Sequence, residues 1–314
     1  MRAIQFARFG GPEVLEAVEL PDPVVGPGQV PVEVEAAGVN FSDVRQIAGH
    51  NSPPGSLPFV PGTEVIGRDA LGRRVMGFTA NGYASKAVLD AGDLVVVPGS
   101  FGAGEALALL AQGLTALHLL RSSARMRPGE SVVVHAGAGG VGSLAVQLAR
   151  VLGAGRVIAT ASTEDKRALA RSLGADAAVD GAATGYAERV IEANRGRPVD
   201  VVLDAVGGEV FEAALTVLAM FGRLVTYGSA AGRTASPVDP ARLVAGNQGV
   251  CGFWLKPLLA ARGLCGAGIG ELVDLAVAGR IRPVAGGVYP LGEARRALAD
   301  LAGRRTVGKV VLKL

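Results

Sequence analysis

The sequence predicts an α/β protein: a doubly wound parallel sheet inserted into an all-β, barrel-like domain. Three observations predict it. Up to about residue 100, short apolar runs (VPVEVEAAGVN, VIGRDALGRRVMGF, YASKAVLDAGDLVVVP) are broken by Pro and Gly, the pattern of short strands closed by turns. From 101 to 279, long helical stretches alternate with short β-branched runs, which argues for βαβ units and a parallel sheet. From 280 to 314 short strands return. That segment is too short for a domain alone and is expected to rejoin residues 1–100.

Element by element, Glu105 to Arg121 leads in as a helix. A strand at 132–135 and a helix at 143–152 follow, then a strand at Val157–Thr160 and a helix at Glu164–Leu173. Ala177–Val179 reads as a short strand and Gly185–Ala193 as a helix. Val199–Leu203 is a strand, Glu209–Leu218 a helix and Gly222–Tyr227 a strand. The last stretch reads as a strand (VAGGVYPL), a helix (GEARRALADLA) and a strand (VGKVVLKL).

Composition narrows the function. The chain has 314 residues, enough for about two domains, with 49% hydrophobic and 19% charged residues, so a compact globular protein is expected. The net charge is only +3, and basic residues are scattered apart from pairs such as Arg73-Arg74, which argues against nucleic-acid binding. Two cysteines, Cys251 and Cys265, fit a reducing compartment. MRAIQFARFG reads as a strand and not as a signal peptide. The longest apolar stretch, Ala106 to Leu120, is short for a membrane span and contains Gln112, Gly113 and His118. A cytoplasmic protein without membrane partners is expected.

The chemistry is concentrated in VVVHAGAGGVGSLAVQLAR, residues 132–150. Gly137, Gly139, Gly140 and Gly142 lie between an apolar strand and an apolar helix, with the spacing Gly-x-Gly-x-x-Gly at 137, 139 and 142. This is the fingerprint of a Rossmann dinucleotide site: glycines let the backbone approach a pyrophosphate, and the helix N-terminus offers free N–H groups and partial positive charge. An Asp or Glu at the end of the second strand would bind the ribose 2′-OH of NAD. Here that strand ends at Thr160-Ala161-Ser162, and the first carboxylates, Glu164 and Asp165, come on the next helix. Ser162 and Lys166 offer a hydroxyl and a cation suited to a 2′-phosphate, so NADPH is the expected cofactor.

The sequence also resembles the zinc-free quinone oxidoreductases (zeta-crystallin-like) of the medium-chain dehydrogenase/reductase superfamily. The resemblance rests on AAGVNFSDV (36–44), LPFVPGTEVIG (57–67), QGLTALHLL (112–120), GESVVVHAGAGGVGSLAVQLAR (129–150), STEDKRALARSLGAD (162–176), VLDAVGG (202–208), GFWL (252–255) and VGKVVL (307–312). It implies a GroES-like β domain with an inserted Rossmann domain. It further implies that Asn40 and Thr115 lie by the nicotinamide and its ribose, and that Gly139, Gly140, Val141 and Gly142 form the pyrophosphate loop. Ser162, Lys166 and Arg304 would lie near the adenosine phosphate. Val206, Gly228 and Ser229 would lie in later cofactor loops, Phe253, Trp254 and Leu255 at the carboxamide, and Lys309 at a C-terminal contact. Relatives often carry a Tyr near the 2′-phosphate, where this chain has Asp180-Gly181.

Zinc-dependent relatives have a Cys ligand where this chain has Gly38-Val39-Asn40, and Gly-His-Glu where it has Pro61-Gly62-Thr63-Glu64. Two cysteines fourteen residues apart and three scattered histidines match neither a four-thiolate structural site nor a three-ligand catalytic one, so no metal is expected. The implied reaction is hydride transfer to a small quinone or α,β-unsaturated carbonyl (enone) in a dry cleft. A quinone gives a delocalised oxyanion that water can protonate. An enoyl-thioester gives a harder enolate, and related enoyl reductases use a Tyr where ungapped alignment puts Asn51, which could hydrogen-bond an oxyanion but is no acid. His50, adjacent, could donate a proton near neutral pH, although an exposed loop histidine is the plainer reading. His118, His135 and Tyr83 are read as structural. The alternatives kept open are an enoyl-thioester reductase of the same fold and a non-enzymatic NADPH-sensing protein. Relatives often dimerise by extending the Rossmann sheet, so a homodimer through a strand such as 248–254 is expected.

Overall fold

The computed structural model describes residues 1–50, 55–233, 235–259 and 264–314. It divides into two compact units, Met1–Ala111 with Pro283–Leu314, and Gln112–Arg282. The first unit runs beyond residue 100 because the helix Ala103–Ala108 packs on its strands Gln29–Val39, Glu64–Asp69, Ala285–Pro290 and Lys309–Lys313.

The first unit is built around the long strand Gln29–Val39. One edge pairs with Glu64–Asp69, and the other pairs first with Lys86–Asp90 and then with Lys309–Lys313. Sharing an edge between two partners curls the sheet, helped by a register shift between Val34 and Ala36. The sheet continues through Arg74–Phe78 to Val95–Val96 on one side and ends in Ala285–Pro290 on the other. The C-terminal strand Lys309–Lys313 thus lies beside Gln29–Val39, with Val310 opposite Val39. Its core gathers Ile4, Phe6, Val32, Val39, Ile47, Leu298 and Val310. Tyr83, read as packing the fold, is fully buried in it.

The second unit holds six parallel strands in the order Ala177–Val179, Arg156–Thr160, Ser131–Val134, Val199–Asp204, Leu218–Thr226 and Gly249–Gly252. The central strands are apolar on both faces, as a sheet covered by helices requires: Val132, Val133, Val134, Val201, Val202 and Leu203 are all fully buried. Strand order reverses between Ser131–Val134 and Val199–Asp204, and in open α/β sheets ligands bind outside the carboxyl ends of the strands at that switch.

Several elements differ from expectation. The helix after the first strand starts at Gly140, inside the glycine run, and not at 143. Glycine is a poor helix former, but tertiary packing overrides propensity where a side chain would not fit. The helix expected over Glu209–Leu218 is Gly208–Leu215, and Leu218 already pairs with Val199 in the next strand. The lead-in helical segment extends from Ala103 to Ser123 and is kinked at Leu110 (ψ −106°); by length and composition it is long and apolar enough to cross a membrane, which corrects the shorter apolar span expected, and 78% of its apolar window is buried inside the protein. It contains wide π-type turns at Leu109–Gly113 and Leu119–Ser123.

Candidate active site

On the second unit, Ala136 takes a left-handed φ of 52° directly after the first strand and turns the chain into the glycine loop. A Cβ on Gly142 would overlap the Ala136 carbonyl and press on the Gly137 Cα. A Cβ on Gly140 would overlap the carboxamide of Gln112, and one on Gly137 would sit 2.7 Å from the Ala159 Cβ. The glycines thus answer first to the protein's own packing, which draws helix Gly140–Val151 down onto strand and loop. With Gly139 as its N-cap, this helix presents the backbone N–H groups of Gly140, Val141 and Gly142 at its open end, a cradle that fits a pyrophosphate.

At the end of the second strand, Ala161 is buried and Ser162 is exposed. Thr163 caps the next helix by accepting from the Lys166 N–H at 3.3 Å. Glu164 is paired with Arg167 at 3.0 Å and with Arg171, whose hydrogen bond is the first cause holding its carboxyl below the usual range, followed by that of Arg167. Arg167 also donates to the Ala161 carbonyl at 3.1 Å, which places a guanidinium on this turn beside Ser162 and Lys166. The sequence reading missed Arg167. Where relatives often carry a Tyr, Arg189 donates to the carbonyls of Asp180, Ala182 and Thr184, and the nearby Tyr186 is turned inward.

At the switch point His135 Nδ1 meets Asp204 Oδ1 at 2.9 Å and His135 Nε2 meets Tyr186 Oη at 2.7 Å, all three residues buried. Asp204 Oδ1 also accepts from the N–H groups of Val206 and Gly207 at 2.9 and 3.1 Å. Burial pushes its pKa up, but the His135 interaction and these N–H groups outweigh burial and hold it below the usual value. The loop carrying Val206 joins the loop carrying Gly228 and Ser229 through Ala230 N–H to Ala205 O (3.0 Å) and Ala231 N–H to Val206 O (2.9 Å). Phe253 donates its N–H to Thr226 O at 2.9 Å, and its ring stacks on His118, with centroids 6.4 Å apart. Thr115 is buried on the same helix as His118. Trp254 is half-exposed under Lys256, and Leu255 opens the helix Leu255–Leu259.

On the first unit, Asn40 directly follows the long strand, stands at the N-cap of the helix Phe41–Ile47 and is partly exposed. Its Nδ2 donates to Glu64 Oε1 at 2.7 Å, and Lys309 Nζ donates to Asn40 Oδ1 at 3.0 Å, to Val39 O at 3.4 Å and to Glu64 Oε1. Glu64 Oε2 accepts the Ala111 N–H at 3.0 Å, where Leu110 (ψ −106°) has left helical geometry. Asp43 Oδ2 accepts from the Asn40 N–H and from Tyr83 Oη, both at 2.8 Å. Burial pushes Asp43 up to about 6, against these hydrogen bonds, and raises Tyr83 as well, with Asp43 adding to it. Glu64 and Lys309 are fully buried. Lys309, expected at the cofactor, thus has its ammonium engaged by three protein acceptors. Arg304 is exposed with a left-handed φ of 56°, His50 is exposed on a loop, and Asn51 lies outside the described residues.

This donor set does not fit a metal. Among the described residues no group of three or more His, Cys, Asp or Glu could hold one. Glu64 is tied to an ammonium and an amide, and a Cβ at Gly38 would already overlap its carboxylate. Sequence reasoning missed Asp43 and assigned no role to Glu64 or Gln112. The available signal was Lys309 itself: a lysine inside the apolar run VGKVVL needs a buried carboxylate.

Comparison with known proteins agrees with both units. Residues 26–110 match the alcohol dehydrogenase GroES-like domain, and residues 140–258 match the zinc-binding dehydrogenase family. The chain is 36% identical to a quinone oxidoreductase of Pseudomonas aeruginosa, covering 99% of each chain, and 34% identical to a 2-haloacrylate reductase of Burkholderia sp, covering 96% of each. It is similar to the quinone oxidoreductase of Thermus thermophilus, whose crystal structures include a complex with NADPH, with a TM-score of 0.87, 39% identity and full coverage of both chains. The chain belongs to the quinone oxidoreductase family of the medium-chain dehydrogenase/reductase superfamily.

Proposed function

We propose that this protein is an NADPH-dependent reductase that delivers hydride to a quinone or α,β-unsaturated carbonyl without zinc. The observation that carries the reading is the glycine cradle and open helix end beside the switch point of a six-stranded parallel sheet. The NADPH-bound relative and the 2-haloacrylate reductase support the cofactor and the activated-alkene class of acceptor.

When bound, NADPH supplies the hydride. The N–H groups of Gly140 to Gly142 hold its pyrophosphate. Ser162, Lys166 and Arg167 hold the 2′-phosphate with a hydroxyl and two cations, and no carboxylate stands at the strand end to repel it. The loops at Val206 and at Gly228–Ser229, hydrogen-bonded to each other, would flank the bound cofactor. Phe253, Trp254 and Leu255 offer backbone groups to the carboxamide. Asp43 and Tyr83 are buried against each other, so the proton for the product comes from water, as a delocalised oxyanion allows. The sheet ends in Gly249–Gly252, which pairs with a single strand among the described residues and offers its other edge to a second copy.

The test is NADPH oxidation by purified protein with phenanthrenequinone, NADH in parallel, before and after a strong chelator. Fast, chelator-insensitive turnover with NADPH is expected. Equal rates with NADH would overturn the 2′-phosphate assignment. Turnover abolished by chelation and restored by zinc would overturn the metal-free reading. Tight NADPH binding with no turnover on quinones, enones or enoyl-thioesters would leave a binding role.

A further inference from the structure

The acceptors around the Lys309 ammonium match its hydrogens one for one. An ammonium carries three N–H groups, and three acceptors surround this one: Val39 O, Asn40 Oδ1 and Glu64 Oε1. Glu64 spends Oε1 on Lys309 and on one Nδ2 hydrogen of Asn40, and Oε2 on the Ala111 N–H. A cation grips the oxygen end of the Asn40 carboxamide and an anion grips its nitrogen end. Flipping the amide would set NH2 against NH3⁺ and C=O against a carboxylate, both repulsive in a buried, low-dielectric setting. One hydrogen is left over. The second N–H of Asn40 Nδ2 has no acceptor among the described residues, and Asn40, unlike Glu64 and Lys309, is partly exposed.

We propose that Lys309 and Glu64 are positioning residues that lock the Asn40 carboxamide as a one-way hydrogen-bond donor, whose remaining N–H is offered to the carbonyl oxygen of the acceptor. The proposal rests on the reductase reading for its ligand, but the lock is a property of the protein alone. A donor of fixed direction strengthens its bond as hydride addition moves negative charge onto that oxygen, and it does so without reorganisation. Asn40 keeps its proton throughout; the oxyanion is protonated by water. Gly38 belongs to the same device, because a side chain there would displace the Glu64 carboxylate.

The experiment has two arms. In the first, the Asn40 side-chain amide protons are followed by ¹⁵N–¹H spectroscopy, identified by their loss in Asn40→Ala. They are compared between wild type and the charge-balanced variant Lys309→Met/Glu64→Gln, with Glu64→Gln alone as the milder variant should the pair not fold. The lock predicts two widely separated proton shifts in wild type, with the Glu64-bound proton exchanging slowly. In the variants the shifts converge and exchange quickens at least tenfold. Unchanged signals in a folded variant would overturn it. In the second arm, kcat with phenanthrenequinone falls at least tenfold in Asn40→Ala and in the charge-balanced variant, with NADPH Kd within threefold of wild type. The triple variant is no worse than Asn40→Ala. Losses that multiply in the triple variant would assign Lys309 and Glu64 a role apart from Asn40 and overturn the proposal. Absence of quinone turnover in wild type would count against the reductase reading, while the amide signals still decide the lock.

Discussion

His135 and Asp204 hydrogen-bond across the switch point of the parallel sheet, at 2.9 Å and without solvent exposure. His135 directly follows the strand Ser131–Val134, and Asp204 ends its neighbour Val199–Asp204. One contact thus ties together the origins of two loops, the glycine cradle and the Val206–Gly207 turn. Asp204 extends the tie by accepting both N–H groups of that turn and the Thr226 hydroxyl at 3.2 Å. Asp204→Ala removes every one of these bonds and leaves His135 and two N–H groups without a buried acceptor. The expected loss is about 3 kcal/mol in urea unfolding, the range for breaking a buried charged hydrogen-bond network. NADPH affinity should weaken with it, whereas Asp204→Asn, which keeps one acceptor oxygen, should lose less of both. An alanine variant with wild-type stability would show that the loops are held elsewhere.

Asp43 makes the opposite electrostatic statement. Burial lifts its pKa from 3.8 to about 6, in spite of the hydrogen bonds from Asn40 and Tyr83 and the charge of Lys309. A carboxyl raised on folding binds more protons in the native than in the unfolded chain between these two values. Its contribution is therefore full below about pH 4 and is lost as pH rises through about 6. The change is at most about 3 kcal/mol, at 1.36 kcal/mol per pKa unit. Asp43→Asn retains an acceptor oxygen for Tyr83 and removes the titration. Urea midpoints at pH 4.5 and 7.5 should show the variant gaining on wild type at the higher pH. A gap that does not move with pH would mean that Asp43 is not strained when ionised.

How much of this was legible in the sequence depends on distance along the chain. The glycine loop, the strand after it and the missing carboxylate at Thr160-Ala161-Ser162 are local signals, read within about 30 residues. The change of pattern near 280 is local too. The packing of Ala103–Ala108 on the first unit's strands is not a local signal, because the segment reads simply as helix. The Asn40 cluster was only half legible: Asn40 and Lys309 stood out singly, but their link through Glu64 joins residues 245 positions apart. His135 was read as structural, and its tie to Asp204 depends on strand order, which periodicity does not give.

The glycine run itself can be dissected by what each new Cβ would strike. At Gly142 it meets the Ala136 carbonyl and the Gly137 Cα, backbone atoms that cannot yield without moving the loop. At Gly140 it meets the end of the Gln112 side chain, which can rotate away. Gly142→Ala should therefore cost about 2–3 kcal/mol of stability, at the upper end of overpacking penalties, and abolish measurable NADPH binding. Gly140→Ala should cost about 1 kcal/mol or less, and shortening its neighbour in Gly140→Ala/Gln112→Ala should restore the affinity. Melting curves and NADPH fluorescence titrations separate the two positions, and equal damage at both would show that the phosphate, not the packing, sets the demand for glycine.

The cofactor preference turns on one exposed side chain. Ser162 stands at the end of the second strand, with Lys166 and Arg167 on the following turn and Glu164 held away by Arg167 and Arg171. A carboxylate at 162 would pair with those cations and face the ribose, where it repels a 2′-phosphate and accepts from a 2′-hydroxyl. Ser162→Asp is accordingly expected to lower kcat/KM for NADPH by at least tenfold, about 1.4 kcal/mol, and to leave that for NADH equal or higher. Because the residue is exposed, stability should stay within about 0.5 kcal/mol of wild type, so the change reads on recognition alone. The companion variant Arg167→Ala should weaken NADPH in the same direction without improving NADH. If neither shifts the ratio of the two cofactors, the 2′-phosphate is held by other groups and the strand end does not select it.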